Sequence, residues 1–164
     1  MNDNNLKDPL LWKKKAMAFV TRSHHHLWGR NNEDPLAFLF QMGLSNATIK
    51  SFHLGWNKFG QVRHLNKWGL KNPRGKGFPG KEDYFSLPPG IVFPHIIEKE
   101  LKSIWIHALD PDGPAFMLPG SARGPVVLGN LNNPVVTASD LFKGLCLFQE
   151  KKESLCVKIL LPES

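Results

Sequence analysis

Between Asp34 and Glu82 the chain contains no acidic residue, although eight Lys or Arg fall in the same stretch. Cysteine is almost as scarce: Cys146 and Cys156 are the only two, both set among apolar neighbours. A pair this sparse excludes a disulfide framework and predicts reduced core thiols in a cytoplasmic protein. No apolar run approaches the ~18 residues of a membrane-spanning helix. The polar start Met1-Asn-Asp-Asn-Asn predicts neither a signal peptide nor a membrane partner. Internal repeats are absent too, which excludes a repeat architecture.

What is present is ordinary in bulk and lopsided in placement. The 164 residues are 41% apolar and 21% charged, with a formal net charge of +7. That is enough for one domain or two small subdomains with a real core. Pro (13) and Gly (14) gather between candidate elements, predicting many short strands and turns rather than disorder. Residues 1–34 hold six basic and four acidic side chains, residues 35–81 eight basic and none acidic, and residues 82–164 seven basic and ten acidic. The surplus is local, so it predicts one cationic face. Trp56, Phe59, Trp68 and Phe78 are interleaved with its cations. Lys and Arg neutralise phosphates while flat rings stack on unpaired bases, so the combination predicts a site for a single-stranded polynucleotide. The candidate binding residues are Lys50, Trp56, Lys58, Arg63, Lys67, Trp68, Lys71, Arg74, Lys76 and Lys81. The alternative is a basic, soluble surface that binds nothing in particular.

Residues 8–30 read as an amphipathic helix, with Leu10, Leu11, Met17, Ala18 and Phe19 on a stripe and Lys13, Lys14 and Lys15 in water. Asp34-Pro35 offers an N-cap and a first-turn proline, and Gly43 is placed to stop that helix in the left-handed conformation. Ser45 caps a second short helix over residues 46–53, closed by Gly55 in the same manner. Residues 57–81, broken by Pro73, Gly75, Gly77, Pro79 and Gly80, read as an extended, partly mobile basic loop. Short β-rich runs follow: residues 90–97, a turn at 98–100, residues 101–109, the Asp110-Pro-Asp-Gly turn, and residues 115–118. Residues 134–138 predict a buried strand, 139–150 a helix and 155–161 a closing strand, a strand–helix–strand unit of the kind used in parallel sheets. The fold class is α+β: N-terminal helices, a β-rich middle and a C-terminal strand–helix–strand.

Other candidate chemistry is thin. His24-His25-His26 on a helix point in three directions, so at most one or two share a ligand, and no Cys, Asp or His cluster follows at metal spacing. A surface or phosphate-side contact fits that run better than a metal site. His107 in an apolar strand reads as a core histidine, and Asp110 and Asp112 as turn formers. Gly75, Gly77 and Gly80 mimic a dinucleotide fingerprint, but they follow no strand, open no helix and enclose Pro79. Neither cysteine has a histidine nearby in sequence or an electropositive setting. No catalytic residue, metal or cofactor is assigned.

Leu39-Phe-Gln-Met-Gly-Leu-Ser-Asn-Ala-Thr-Ile-Lys-Ser-Phe-His-Leu-Gly-Trp56 looks like the helical hairpin that opens the catalytic core of bacterial and phage-type DNA primases. Pro89-Gly-Ile-Val-Phe-Pro94 is similar to its "Arg-Gly-Leu-Val-Ile-Pro" strand, and Phe116-Met-Leu-Pro-Gly-Ser121 to its "Tyr-Leu-x-x-Gly-Ser" stretch. Pro134-Val-Val-Thr-Ala-Ser-Asp-Leu141 falls where the Toprim domain begins. The resemblance implies a helical segment over residues 1–56, a basic loop and primase-core-like subdomain over 57–133, and a degenerate, partial Toprim-like unit over 134–164. The departures matter as much. The family's zinc-binding Cys and His ligands have no counterpart, and Pro89 replaces an arginine. His107-Ala108 stand at a basic pair, Ala115 at a lysine, and Ala138 at the catalytic glutamate. The chain also stops before the Asp-x-Asp strand that would complete a magnesium site. Family polymerisation needs those carboxylates to hold metal against a triphosphate. The expectation is a non-catalytic, DNA-binding accessory in the replication of a phage or mobile element. The alternative is an interaction or inhibitory module docking on a replication protein such as a primase, helicase or polymerase, with an unpaired edge at the closing strand as its handle.

Overall fold

The computed structural model describes residues 5–72, 83–151 and 154–162. Its first element, helix α1 (Pro9–Trp28), starts where the Asp8 carboxylate accepts a hydrogen bond from the Leu11 N–H at 3.0 Å, with Pro9 at the first position. Trp12, Ala16, Phe19, Val20, Ser23 and Leu27 form its buried stripe. Leu10, Met17 and Ala18, expected on that stripe, are exposed. Helix α2 (Glu33–Gln41) follows, starting two residues earlier than the Asp34 cap predicts, with Asn32 as N-cap. Gly43 takes φ +91° as expected. The short helix α3 (Asn46–Ser51) is capped by Ser45, whose Oγ accepts from the Thr48 N–H at 3.2 Å. His53, not Gly55, takes the left-handed conformation after it.

The centre is a four-stranded antiparallel sheet in the order β1-β4-β5-β6: β1 (Gly55–Asn57), β4 (Gly90–Ile97), β5 (Glu100–His107) and β6 (Ala115–Met117). β4 and β5 form a hairpin closed by Glu98 and Lys99, both at positive φ, the two-residue turn that matches strand twist. Pro94 sits inside β4 at no cost to the ladder. Its partner Ile104 turns its own N–H and C=O towards Ser121 and Leu118, so the imide nitrogen of Pro94 faces away from β5, beyond the end of β1. Between β1 and β4 in sequence, β2 (Gln61–His64) pairs antiparallel with β3 (Tyr84–Leu87) as a separate ribbon. A turn of 3-10 helix, Leu65–Trp68, follows β2. The stretch read as an extended basic loop is therefore partly regular structure, and its remainder, residues 73–82, lies outside the described residues.

Alternation along β4 and β5 sends side chains into two cores. Val92, Ile104 and Ile106 join Trp12, Phe19, Val20, Leu65, Trp68, Leu87 and Leu118 beneath α1. Ile91, Phe93 and Trp105 join Leu27, Leu39, Ile49 and Leu54 on the opposite face. That second core also takes in the C-terminal unit: β7 (Val126–Leu128), β8 (Val135–Ala138), α4 (Leu141–Lys151) and β9 (Cys156–Ile159). β8 and β9 are parallel across α4, as the strand–helix–strand reading requires, and β7 adds antiparallel to β9. Two expectations are corrected here. β8 is not buried; it alternates exposed and half-buried residues as an edge strand. β9 is the central strand of the three, so the edges are β7, where His95 meets the Val127 backbone, and β8.

His95 of β4 joins the two sheets. Its Nε2 lies 3.2 Å from both the N–H and the C=O of Val127, and the ring is 6% exposed. Burial lowers its pKa from the ordinary 6.5; the Val127 backbone bond opposes that and the Lys102 charge adds to it. The folded state thus disfavours the imidazolium, and the unfolded chain binds the extra proton once pH falls below about 6.5. Stability is expected to be flat above pH 7.5 and to decline as pH drops through 6.5 towards 5. Urea midpoints at pH 7.5 and 5 for the wild type and His95→Gln check this: the substitution lowers the neutral-pH midpoint and shrinks the difference between the two.

Candidate nucleic-acid interface

The final turn of α1 carries His25 and His26, and the chain leaves the helix through Gly29, an extended C-cap, and Arg30 beside them. Opposite them runs the exit of β1. Gly55 brings the two together: a Cβ there would lie 2.6 Å from the Ser23 carbonyl carbon and 2.7 Å from the His24 nitrogen, so only glycine allows the strand this close to the helix. His24 Nδ1 lies 2.9 Å from the Leu54 oxygen and fixes the same junction. The result is a groove of about 240 Å³ lined by His25, His26, Gly29 and Arg30 on one wall and Trp56, Asn57, Lys58, Phe59 and Gln61 on the other.

Its polar wall is preorganised by amides. Buried Asn57 donates to the Pro88 carbonyl at 2.7 Å and accepts from Gln61 Nε2 at 2.8 Å, and Gln61 Oε1 in turn accepts from the Arg63 guanidinium. Lys58 Nζ sits 5.5 Å from the Trp56 ring centroid and 5.3 Å from that of Phe59, a cation held against two aromatic faces. Phe59 is 69% exposed. On α3, Lys50 Nζ lies 4.9 Å over Trp28. The ion pairs formed by Glu100 engage Lys13 and Lys102, and among the described residues no carboxylate pairs with Lys50, Lys58, Arg30, Lys67 or Lys71. A cationic groove with flat exposed rings and few internal counter-charges attracts a polyanion, and the rings accept bases by stacking.

The ten predicted residues do not form one cluster. Trp56 and Lys58 line the groove, and Lys50 stands beside Trp28 at the same end of α1. Arg63 lies on the inner side of the ribbon. Lys67 and Lys71 flank Gly69, whose carbonyl accepts from the N–H groups of Lys7 and Asp8 at the opposite end of α1. Trp68 is 5% exposed, stacked edge-on between Phe19 at 6.3 Å and Phe85 at 5.4 Å; it is a core residue, not a stacking face. Arg74, Lys76 and Lys81 lie outside the described residues. The groove also takes in Phe59, noted in the sequence among the interleaved rings, and His25 and His26, of the run read as a surface or phosphate-side contact. Gly29, Arg30, Asn57 and Gln61 complete it and were not singled out, because no local pattern links the exit of α1 to that of β1. Among the described residues no three His, Cys, Asp or Glu side chains group as metal ligands, and no helix is long and apolar enough to cross a membrane.

No protein-family model matches the chain, and no curated protein matches it. Among solved structures it is similar to the DnaG catalytic core, with a TM-score of 0.64 and 15% sequence identity over 92% of this chain and 54% of that one. The chain therefore spans about half the length of that structure, and its α+β fold is primase-like.

The opposed roles of two aromatic rings are open to test. Trp68→Ala is expected to cost about 3–5 kcal/mol of unfolding free energy, the usual consequence of emptying a buried aromatic site. Phe59→Ala, at an exposed position, is expected to change stability by less than about 0.5 kcal/mol. Denaturant unfolding followed by circular dichroism separates the two.

Proposed function

We propose that the chain is a non-catalytic, primase-like protein that holds single-stranded DNA in the groove at the end of α1. By this reading it serves as an accessory in DNA replication of a phage or mobile element. The observation that carries the proposal is the meeting of Arg30, His25, His26 and Lys58 with the Trp56 and Phe59 rings around one groove. A phosphate lodges against the cations while a base lies on a ring. An unpaired strand satisfies both demands at once, whereas a duplex hides its base faces. The similarity to the DnaG catalytic core supports the choice of DNA as the polymer. On this view Lys67 and Lys71, and Arg74, Lys76 and Lys81 beyond the described residues, extend the cationic path.

A second reading, docking on a replication protein such as a primase, helicase or polymerase, rests on β8. The bonds from Cys156 N–H to the Pro134 carbonyl and from Leu160 N–H to the Ala138 carbonyl show which backbone groups face β9. Val135 and Thr137 therefore turn theirs outward, and Val135 is 48% exposed. Such an edge suits strand addition by a partner.

A labelled single strand of ~20 nucleotides, titrated at two salt concentrations beside the same sequence as a duplex, tests the first reading. Tighter and salt-sensitive binding of the single strand is expected. Arg30→Ala combined with Lys58→Ala is expected to reduce the slope of log K against log salt by about 1.4, at ~0.7 for each phosphate left without its cation. An unchanged slope removes these two residues from the interface, and absence of binding at low salt turns the reading to the β8 edge.

A further inference from the structure

The ribbon of β2 and β3 runs back along α1 from the groove. Gln61, its first residue, lines the groove beside His26 and Arg30. After His64 the 3-10 turn sets Trp68 against Phe19, midway along α1, and Gly69 then binds the N–H groups of Lys7 and Asp8 at its start. Four extended residues at ~3.3 Å and four 3-10 residues at ~2.0 Å carry this path across at most about 21 Å. At ~3.4 Å per stacked nucleotide that is the length of about six nucleotides, within the span that single-strand-binding modules cover.

Directly paired residues of an antiparallel ribbon share a face. The register Gln61↔Leu87, Val62↔Ser86, Arg63↔Phe85, His64↔Tyr84 puts Gln61, Arg63, Phe85 and Leu87 on the inner side. Leu87 is buried there, and Phe85 meets Trp68. Val62, His64, Tyr84 and Ser86 occupy the outer side, where Val62 is 62% and Tyr84 51% exposed. The Tyr84 ring is not loose. The His64 imidazole meets it edge to face at 4.9 Å and 75°, and His64 Nδ1 itself accepts from the Asn66 N–H at 3.2 Å. The neighbouring Asp83 carboxylate is engaged by the Asn72 side-chain amide. An exposed aromatic ring fixed by its neighbours costs little ordering when a second ring lands on it, which is what a stacking platform needs.

Resting on the single-strand reading above, we propose that Tyr84, braced by His64, is a second base-stacking platform midway along this path. Its ligand is an unpaired base of the same strand whose leading end occupies the groove. Charge selects this occupant: the platform belongs to the ribbon that links Lys58 and the groove to Lys67 and Lys71, and a base is the apolar part of a polyanion. The two sites then divide the labour, with the groove gripping phosphates and the ribbon gripping a base.

Tyr84 is the sole tyrosine of the chain, which makes the test specific. Nitration of the wild type by tetranitromethane, read on the Tyr84 peptide by mass spectrometry, is expected to proceed in the free protein and to be suppressed by a saturating ~12-nucleotide oligothymidylate. Tyr84→Ala is expected to weaken binding of that oligomer roughly 5- to 100-fold, the range for loss of one base–aromatic stack, with the salt slope unchanged. Tyr84→Phe is expected to bind like the wild type, since the ring remains. Salt-sensitive wild-type binding with Tyr84 still freely nitrated, or with Tyr84→Ala binding normally, overturns the platform and leaves the groove standing. Absence of wild-type binding at low salt overturns both.

Discussion

The structure depends on one hairpin being buried on both of its faces. β4 and β5 are buried at most positions along both faces, and each face of the pair needs its own cover. Phe93 and Trp105 face the α2–α3 side, while Val92, Ile104 and Ile106 face α1. Burying each such side chain stabilises by about 1.5–3 kcal/mol, so neither face can be left open. The long helix, the helical pair and the C-terminal unit are all in place because this sheet has two sides to dry. The His95–Val127 contact ties the second sheet to the first and gives the Val127 backbone groups a side-chain partner.

From that requirement the groove follows. α1 is pinned at its start by Gly69 and by the Trp12 Nε1 bond to the Pro119 carbonyl at 2.8 Å, and at its end by Gly55 and the His24–Leu54 contact. A helix fixed at both ends delivers the side chains of its last turn, and Arg30 just beyond it, to a constant place. β1 leaves the same junction and must turn at Lys58 and Phe59 to reach the ribbon, so residues separated by about thirty positions in sequence converge there. Trp56 packs partly against the core and Asn57 is buried, while Phe59 is exposed and Lys58 lies over both rings. Trp68 illustrates the contrary case: it has the same residue type and the same basic neighbours, but its ring is committed between Phe19 and Phe85.

Much of the scaffold was legible because its signals are local. The Ser45 cap, the left-handed Gly43, the apolar run of β4 and the Asp110-Pro-Asp-Gly turn each act within four or five residues. β1 and β7 were not legible, since three residues are too few to show a period and both exist through pairing with distant strands. β2 was hidden for a related reason: Gln-Val-Arg-His has polar residues on the face that meets Phe85, and Gln61 and Arg63 are tolerated there only through the Asn57 amide chain. Gly55 looked like a helix stop because a glycine after a short helix usually is one; its actual task, admitting α1, is a tertiary contact with no trace in the neighbouring sequence. For the site, composition located the cationic stretch but not its geometry. The aromatics interleaved with lysines divide between surface and core according to the 3-10 spacing of Leu65 and Trp68, which a count of charges does not see.

The C-terminal unit shows how a scaffold can keep its shape while position 138 carries no acid. Primase resemblance leads one to expect a carboxylate there, at the end of β8. The position is half-buried under α4, where a Cβ on Gly144 would stand 3.6 Å from Ala138 and 2.4 Å from Ile159, so helix and strand are in close contact and small side chains suit the interface. The nearest carboxylate, Asp140, is engaged as the cap of α4, its Oδ1 accepting from the Lys143 N–H at 2.9 Å. Everything this unit presents at that point is explained by packing and helix initiation. On the single-strand reading proposed above, the groove and the ribbon draw only on the end of α1, β1, β2 and β3, which leaves the C-terminal unit to its packing against the two-sided hairpin.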